Sequence, residues 1–234
     1  MSAQMKFVCL LMPNITQLDL TGPAQVFSLM PGATVDLAWH RIEPVPTDAK
    51  FSIMPTVTFE DAPQADVLMI PGGGGAFDVL GDAPLLAFVR RQAAAARFVT
   101  SVCTGAFVLG AAGLLRGRRA TSHWASHEML GWLGATPVRE RVVRDGNIFT
   151  GGGVTSGIDF GLTVAAEVYG DATAKTAQLL MEYDPRPPFD AGTPERPDTD
   201  PELVANILAN RRRTRGPAVI EAAHRLGLNP ARMR

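Results

Sequence analysis

The chain has 234 residues, 46% of them apolar and 19% charged, and its formal net charge is −1. A chain of this length and composition can bury one substantial core, which excludes disorder throughout and leaves no room for two large domains. The near-zero net charge excludes a general electrostatic attraction to nucleic acid or to an anionic membrane, so we expect neither as a partner.

Apolar runs bounded by chain breakers alternate with segments of helical spacing. The runs predict buried strands at residues 7–12, 35–39, 67–70 and 98–102. The helical spacing predicts helices at residues 18–30, from a cap at Asp82 to about Arg97, at 104–112, at 155–169, and from a cap at Asp171 to Tyr183. This alternation predicts an α/β fold with a mostly parallel sheet and helices on both faces.

The chain after residue 137 departs from this alternation in places. Asp145 and Gly146 stand between the runs 138–144 and 147–150, and an Asp-Gly pair in that position predicts a β-hairpin. After Asp184 the prolines predict an irregular arm. Two short helices, at 202–213 and 217–226, are expected after the arm.

The two cysteines of the chain, Cys9 and Cys103, are too few for a disulfide framework. We therefore expect a reducing, cytoplasmic setting. The first apolar run is too short for a signal sequence, and no stretch of about 18 apolar residues predicts a transmembrane helix.

Cys103 stands at a junction typical of a nucleophile. It ends the predicted strand 98–102, and Thr104 and Gly105 begin the next helix. This strand–nucleophile–x–Gly–helix order is the form of a nucleophile elbow, in which the glycine allows a sharp turn. We expect the amides of the helix's first turn to favour the thiolate of Cys103 over the thiol. Cys9, within an apolar run, is interpreted as an inert core residue.

Two glycine-rich loops also follow predicted strands, at residues 72–75 and 151–153. The carboxyl ends of parallel strands meet at one edge of the sheet, so we expect both loops beside Cys103. The first loop lacks the spacing of a nucleotide-binding motif, and we expect it instead to present amides to an oxyanion; a plain surface turn is the alternative. The second would let the chain approach the same place closely.

Four polar residues are weighed separately. Asp19 is either a helix cap or a surface acid or, if it points into an apolar pocket, an acid with a raised pKa and hence a proton donor. His123 and His127 are four residues apart, but with no third ligand they do not predict a metal site. Tyr183 by itself indicates only a buried aromatic residue.

These segments together resemble the ThiJ/PfpI superfamily, also described as class I glutamine-amidotransferase-like proteins. The resemblance covers roughly residues 5–192 and is carried by the segments 17–23, 70–73, 100–105, 119–124 and 150–159. Within the superfamily, Asp19 and the segments 102–105 and 182–192 look like the branch that hydrates isocyanides. We accordingly expect one ThiJ/PfpI-type domain over 1–192 and a C-terminal proline-rich arm with short helices over 193–234.

The resemblance implies a flavodoxin-like sandwich, a homodimer, and the hydration of an organic isocyanide, R–NC, to an N-substituted formamide without cofactor or metal. It implies that Cys103 is the nucleophile, forming a covalent thioimidate, with Asp19 as the acid beside it and Thr104 in contact with them. It further implies that Gly73 and Thr104 supply amides and that Tyr183 positions water. Gly152 and Val154 would lie where a mobile helix begins.

Three alternatives stay open. The chain could be a glyoxalase- or deglycase-type or other cysteine hydrolase, a ligand-sensing regulator, or a thiol redox sensor. Thr104 stands where peptidase-like members carry histidine, and Asp19 stands where glyoxalase-like members carry glutamate, so both of those activities are disfavoured. A DNA-binding regulator would need a pair of helices in the short C-terminal region.

Overall fold

A seven-stranded sheet runs through the computed structural model, which describes residues 4–232. In chain order the strands are β1 (Met5–Leu10), β2 (Ala33–Trp39), β3 (Val45–Pro46), β4 (Ser52–Ile53), β5 (Val57–Thr58), β6 (Val67–Ile70), β7 (Phe98–Val102), β8 (Arg119–Ala120), β9 (Thr136–Pro137), β10 (Val142–Asp145) and β11 (Ile148–Gly151). The large sheet has the order β10-β11-β7-β6-β1-β2-β5. Every neighbouring pair in it is parallel except β10 and β11.

The central strands are buried along their length because their sequences are continuously apolar. Every residue of β6 and β7 is buried, as are the last four residues of β1. Parallel strands covered on both faces show this pattern, rather than the alternation of a half-exposed sheet. The predicted strands 67–70 and 98–102 are confirmed to the residue, and the first two are confirmed with small shifts.

The helices are α1 (Gln17–Ser28), α2 (Gly75–Asp78), α3 (Ala83–Ala95), α4 (Gly105–Ala111), α5 (Ser156–Tyr169), α6 (Asp171–Leu180) and α7 (Pro201–Arg225), with 3₁₀ turns at His127–Leu133 and Pro230–Arg232. Helix α5 packs against α1 and α6, while α4 packs against α2, α3 and α7. These two separate groups fit a sheet with helices on both faces. The predicted flavodoxin-like α/β class is confirmed.

Local signals set most helix ends correctly. Asp82 caps α3, its Oδ1 accepting from the amide of Leu85 at 2.9 Å, as predicted. The prediction that Asp171 caps α6 is wrong, because Gly170 occupies the cap and Asp171 is the first helical residue. Gly170 has φ 85°, which lets one residue end α5 and start α6.

The predicted hairpin is confirmed. Strands β10 and β11 pair antiparallel, Asp145 lies opposite Ile148, and Gly146 has φ 63° in the turn between them. The first strand begins at Val142 rather than at residue 138, because the amide of Val138 instead bonds to the carbonyl of Ala120.

The C-terminal region differs from the prediction. The two expected short helices are a single helix of 25 residues, α7, with Pro217 inside it. Proline removes one helical hydrogen bond, but the packing of the turns around it outweighs that loss. Gly216 is buried close to the ring of Trp132, and Val219, Ala222 and Ala223 are buried as well. The boundary between residues 192 and 193 stays a prediction.

Candidate active site

Cys103 lies in the turn between β7 and α4. Its backbone has φ 55°, in the left-handed region that non-glycine residues rarely adopt, and its surface is only 4% exposed. Thr104 follows as the cap residue of α4. Strain of this kind in a side-chain-bearing residue is typical of functional sites, where surrounding structure holds it in place.

The turn is held against the neighbouring β6–α2 loop by Gly105. A Cβ atom on this residue would lie 2.1 Å from the carbonyl oxygen of Ile70 and 2.7 Å from that of Pro71. No side chain fits in that space. The predicted sharp turn after Cys103 is therefore observed, and its cause is this close backbone approach.

The main chain of Cys103 is fixed by two other segments. Its amide donates to the carbonyl of Gly152 at 2.8 Å and to that of Gly151 at 3.0 Å, and its carbonyl accepts from the hydroxyl of Ser122 at 2.8 Å. The second glycine loop therefore reaches the cysteine, as predicted. Ser122 was not singled out as a candidate in the sequence, although it lies within the family-like segment 119–124.

The sulfur of Cys103 lies among polar groups but is withdrawn from solvent. Burial raises the pKa of the Cys103 thiol, the charge of Asp19 raises it further, and the amides of Val154 and Thr104 oppose both effects. The amide of Thr104 at the start of α4 favours the thiolate, as the sequence predicts, but burial outweighs it and the thiol is the favoured form. Two amides do reach the sulfur, but they compensate for only part of the lost hydration.

Asp19 lies beside the thiol and is fully buried. Burial raises the pKa of its carboxyl group to about 7, although the nearby Cys103 thiol and the Gly72 amide pull it down. Oδ2 accepts from the amide of Gly72 at 3.1 Å, and Oδ1 is buried with no well-formed hydrogen bond to any described residue. The alternative that Asp19 acts as a helix cap is excluded, since no side-chain cap bond forms at α1.

Thr104 links the cysteine turn to the first glycine loop. Its Oγ1 donates to the carbonyl of Gly73 and accepts from the amide of the same residue, both at 2.8 Å. The amides of Gly72 and Gly73 are thus bonded to Asp19 and Thr104. Both amides therefore already have acceptors within the protein, and the expected role of this loop and of Gly73 in binding an oxyanion stays a prediction.

Tyr183 lies apart from the sulfur. Its hydroxyl donates to Oδ1 of Asp159 at 3.2 Å, while Nε of Arg141 binds the other oxygen of that carboxylate. The carbonyl of Arg141 accepts from the amide of Gly152, the residue that binds Cys103. Tyr183 is therefore joined to the cysteine turn through intermediate residues.

Two residues near the site were not predicted to belong to it. The ring of His123 packs against Gly153, where a Cβ atom would lie 2.8 Å from its Cδ2. Arg215 of α7 lies close enough for its pKa to respond to Cys103, and its Nη1 donates to Ser126 at 2.7 Å. Arg215 is the last residue of the cationic run 211–215, a pattern that is typical of a solvated helix face or a partner contact, so the sequence did not predict a place for it beside Cys103.

Within residues 4–232, no group of three or more His, Cys, Asp or Glu side chains is arranged to hold a metal ion. Among the helices of that range, none has both the length and the apolar character needed to cross a membrane.

The chain is similar to proteins of one family. A family model described as the DJ-1/PfpI family matches residues 5–167. A protein of Pseudomonas putida named isonitrile hydratase is 54% identical over 202 residues, which cover 86% of this chain and 87% of that protein.

Solved structures show the same likeness. A ThiJ/PfpI family protein from Pseudomonas syringae superposes with a TM-score of 0.89 at 39% identity, covering 94% of this chain and 91% of that one. Drosophila melanogaster DJ-1beta superposes with a TM-score of 0.69 at 22% identity, covering 76% of this chain and 98% of that one, which indicates a shared fold only.

Proposed function

This chain belongs to the DJ-1/PfpI family, and we propose that it is an isocyanide hydratase that uses Cys103 as its nucleophile. The activity is supported by 54% identity over 86% of the chain to the isonitrile hydratase of Pseudomonas putida. The geometric observation that supports the assignment is the buried pair of Cys103 and Asp19, at the turn after β7.

The pair suits the chemistry of an isocyanide. The terminal carbon of R–NC carries a lone pair and accepts a nucleophile and a proton at the same atom. The sulfur of Cys103 forms a bond to this carbon, and the thiol proton, passed through Asp19, arrives on the carbon to give the thioimidate S–CH=N–R. No electron donor or acceptor is required, which fits a reaction without a cofactor.

Water completes the reaction. Its oxygen bonds to the thioimidate carbon and one proton moves to the nitrogen, giving S–CH(OH)–NH–R. The C–S bond then breaks, the hydroxyl proton leaves, the N-substituted formamide HC(=O)–NH–R departs, and the sulfur recovers a proton. The sum is R–NC plus H₂O giving the formamide, so the pair ends in its starting protonation state.

The raised pKa values fit this route. Because the first step consumes one thiol proton, a resting thiolate is not required. Asp19, with its pKa raised to about 7, can accept and release a proton near neutral pH beside the sulfur. The thiolate then forms only while the new S–C bond develops, and the amides of Val154 and Thr104 stabilise its charge at that moment.

The remaining roles are also proposals. Thr104 supplies an amide to the sulfur, and its hydroxyl holds the Gly73 loop in position. Tyr183 would position water by way of Asp159, and Gly152 and Val154 would move together when α5 shifts. Replacing Tyr183 by Phe tests the proposed role of Tyr183 in positioning water: hydrolysis of the adduct should slow, while formation of the adduct should not.

An aryl isocyanide provides the decisive assay. The wild type should convert it to the formanilide, followed by ultraviolet absorbance, and Cys103→Ala should not. Mass spectrometry of the quenched wild type should find an adduct of substrate mass on Cys103. An active Cys103→Ala protein together with no adduct would contradict the proposal.

The same assay separates the alternatives. A glyoxalase-type enzyme would turn over methylglyoxal in preference to the isocyanide, and a redox sensor would react with peroxide without turning over either compound. A tandem-helix DNA-binding segment lacks support, since the region after the arm forms the single helix α7.

We also propose that the chain forms a homodimer and works in the cytoplasm. Large apolar side chains around the end of α6 and in the arm are exposed: Leu179 by 80%, Leu180 by 68% and Phe189 by 77%. A surface of this kind is typical of a protein interface. Both cysteines are free, which fits a reducing compartment. Light scattering tests the dimer, and cell fractionation tests the compartment.

A further inference from the structure

Arg215, on α7, lies near Cys103 and contacts two of the segments beside it. Its guanidinium lies over the ring of Phe77, 4.8 Å from the centroid, and Nη1 donates to the hydroxyl of Ser126 at 2.7 Å. Phe77 belongs to α2, which starts two residues after Gly73, and Ser126 ends the loop that begins at Ser122. Arg215 therefore spans the two segments that flank the cysteine.

The charge of Arg215 has no acidic partner. No Asp or Glu of residues 4–232 forms an ion pair with it, whereas Arg141 and Arg144 each bind a carboxylate. Arg215 is partly buried, and burial lowers its pKa to about 10, as does the charge of Arg211. A partly buried cation beside a second cation is costly unless an anion approaches it.

His123 adds a hydrogen-bond donor to the same place. Its Nδ1 accepts from the amide of Ala125 at 3.2 Å, so the proton of the neutral ring lies on Nε2. Burial lowers the pKa of His123 to about 4, and the charges of Arg215 and Arg211 lower it too, which keeps the ring neutral at pH 7. Within residues 4–232, Nε2 forms no hydrogen bond, and it lies beside Gly153.

We propose that Arg215 and His123 form an anion-binding site beside Cys103, and that the preferred isocyanide substrate carries a carboxylate there. The substrate class in this inference rests on the proposed function, whereas the anion-binding site does not. Arg215 would donate its free N–H groups to the carboxylate, and Nε2 of His123 would donate a further hydrogen bond. The isocyanide group would then point inward to the sulfur.

Alkylation of Cys103 tests the site without any isocyanide. Iodoacetate and iodoacetamide are nearly the same size and differ in charge, and mass spectrometry measures the rate at which each labels Cys103. The informative quantity is the iodoacetate-to-iodoacetamide rate ratio at pH 8 in the wild type, divided by the same ratio in Arg215→Met. Any change in the thiolate fraction affects both reagents equally and cancels.

We expect this quotient to be about 10 or more, since a charge-assisted hydrogen bond of ordinary strength corresponds to roughly tenfold or more. Arg215→Lys should keep part of the preference, because it keeps the charge. Arg213→Met, an exposed position on the same helix, should keep the wild-type ratio. A quotient near one, or no labelling of the wild type by iodoacetate, overturns the proposal.

An isocyanide pair then tests the substrate class. The wild type should show a higher kcat/KM for an aryl isocyanide bearing a carboxylate than for its methyl ester, and Arg215→Met should lose that preference mainly through KM. Equal kcat/KM values for the two compounds in the wild type would refute the carboxylate preference. Turnover of neither compound, with the alkylation preference intact, would refute the proposed function and leave the anion site standing.

Discussion

The middle of β1 and the turn after β7 each carry a cysteine, and the two cysteines lie in opposite surroundings. Cys9 lies within the sheet between Leu37 of β2 and Met69 of β6, with no exposed surface. Cys103 lies beyond the end of its strand, with φ 55° and with hydrogen bonds to the last residue of β11, to the loop after β11 and to Ser122. Only the second position leaves room for polar partners around a sulfur.

Burial alone does not distinguish the two thiols. It raises the pKa of Cys9 to about 12, with help from the charge of Asp36, and it also raises the pKa of Cys103. The difference is that Cys103 has Asp19 and two amides beside the sulfur, while for Cys9 no hydrogen bond opposes the burial. The strand end therefore supplies a proton partner and charge stabilisation, and the strand interior supplies neither.

Replacing each cysteine by alanine should have the largest effect and should separate the two regions. Cys103→Ala should lower isocyanide turnover by at least about 1000-fold, because it removes the nucleophile. Its free energy of unfolding should change little, since a buried thiol beside a carboxyl contributes little stability. Cys9→Ala should keep turnover within about twofold and lose roughly 1 kcal/mol of stability by creating a small cavity. Loss of turnover in both variants would mean that the sheet interior and the turn are not independent.

A single methyl group added at Gly105 should disrupt the tight packing of the turn after β7. In Gly105→Ala the new methyl would meet the carbonyl oxygen of Ile70 at 2.1 Å, so we expect a loss of about 3 kcal/mol or more in urea unfolding, together with loss of turnover. Gly192→Ala is the matched control, because a Cβ atom at that position meets nothing within 4 Å. It should change stability by less than about 0.5 kcal/mol. Equal stability of the two variants would show that the turn tolerates displacement.

Asp19 should give this region a characteristic pH dependence. Its pKa is raised to about 7 from the ordinary aspartate value of 3.8, so between these pH values the folded protein holds a proton that the unfolded chain has released. The stabilisation is complete below the unfolded pKa and is lost as pH rises toward 7, by up to about 1.4 kcal/mol per pH unit.

Urea unfolding of the wild type and of Asp19→Asn between pH 4 and 8 measures this contribution. The free energy of unfolding should fall more steeply with rising pH in the wild type than in Asp19→Asn. The exposed Asp78→Asn variant should keep the wild-type pH dependence. Parallel curves for wild type and Asp19→Asn would mean that the Asp19 carboxyl is ionised throughout. In that case it could not pass a proton to the substrate.

The sequence predicted the turn better than what surrounds it. Cys103, its strand and the following glycine were predictable because a nucleophile elbow is a local motif. Its apolar strand, its nucleophile and Gly105 lie within a few residues of one another in the sequence. The direction of the pKa shift of the Cys103 thiol was not predictable, because it depends on how much water the folded chain excludes from the sulfur. Arg215 was not predicted either, since it reaches the site only because α7 packs back on the domain as one helix.

The smallest expected effect concerns the hydrogen bond from the Ser122 side chain to the main chain of Cys103. Ser122 is buried, and its hydroxyl donates to the carbonyl of Cys103 at 2.8 Å. Ser122→Ala leaves that buried carbonyl without this donor, so we expect a loss of about 1 to 2 kcal/mol and a few-fold fall in turnover. Ser28→Ala removes a bond of the same length to the carbonyl of Gln25, but at an exposed position where water replaces it, and should cost less than about 0.5 kcal/mol. Equal losses in the two variants would mean that the turn after β7 is as accessible to water as the surface, and its contrast with the interior of β1 would then rest on Asp19 alone.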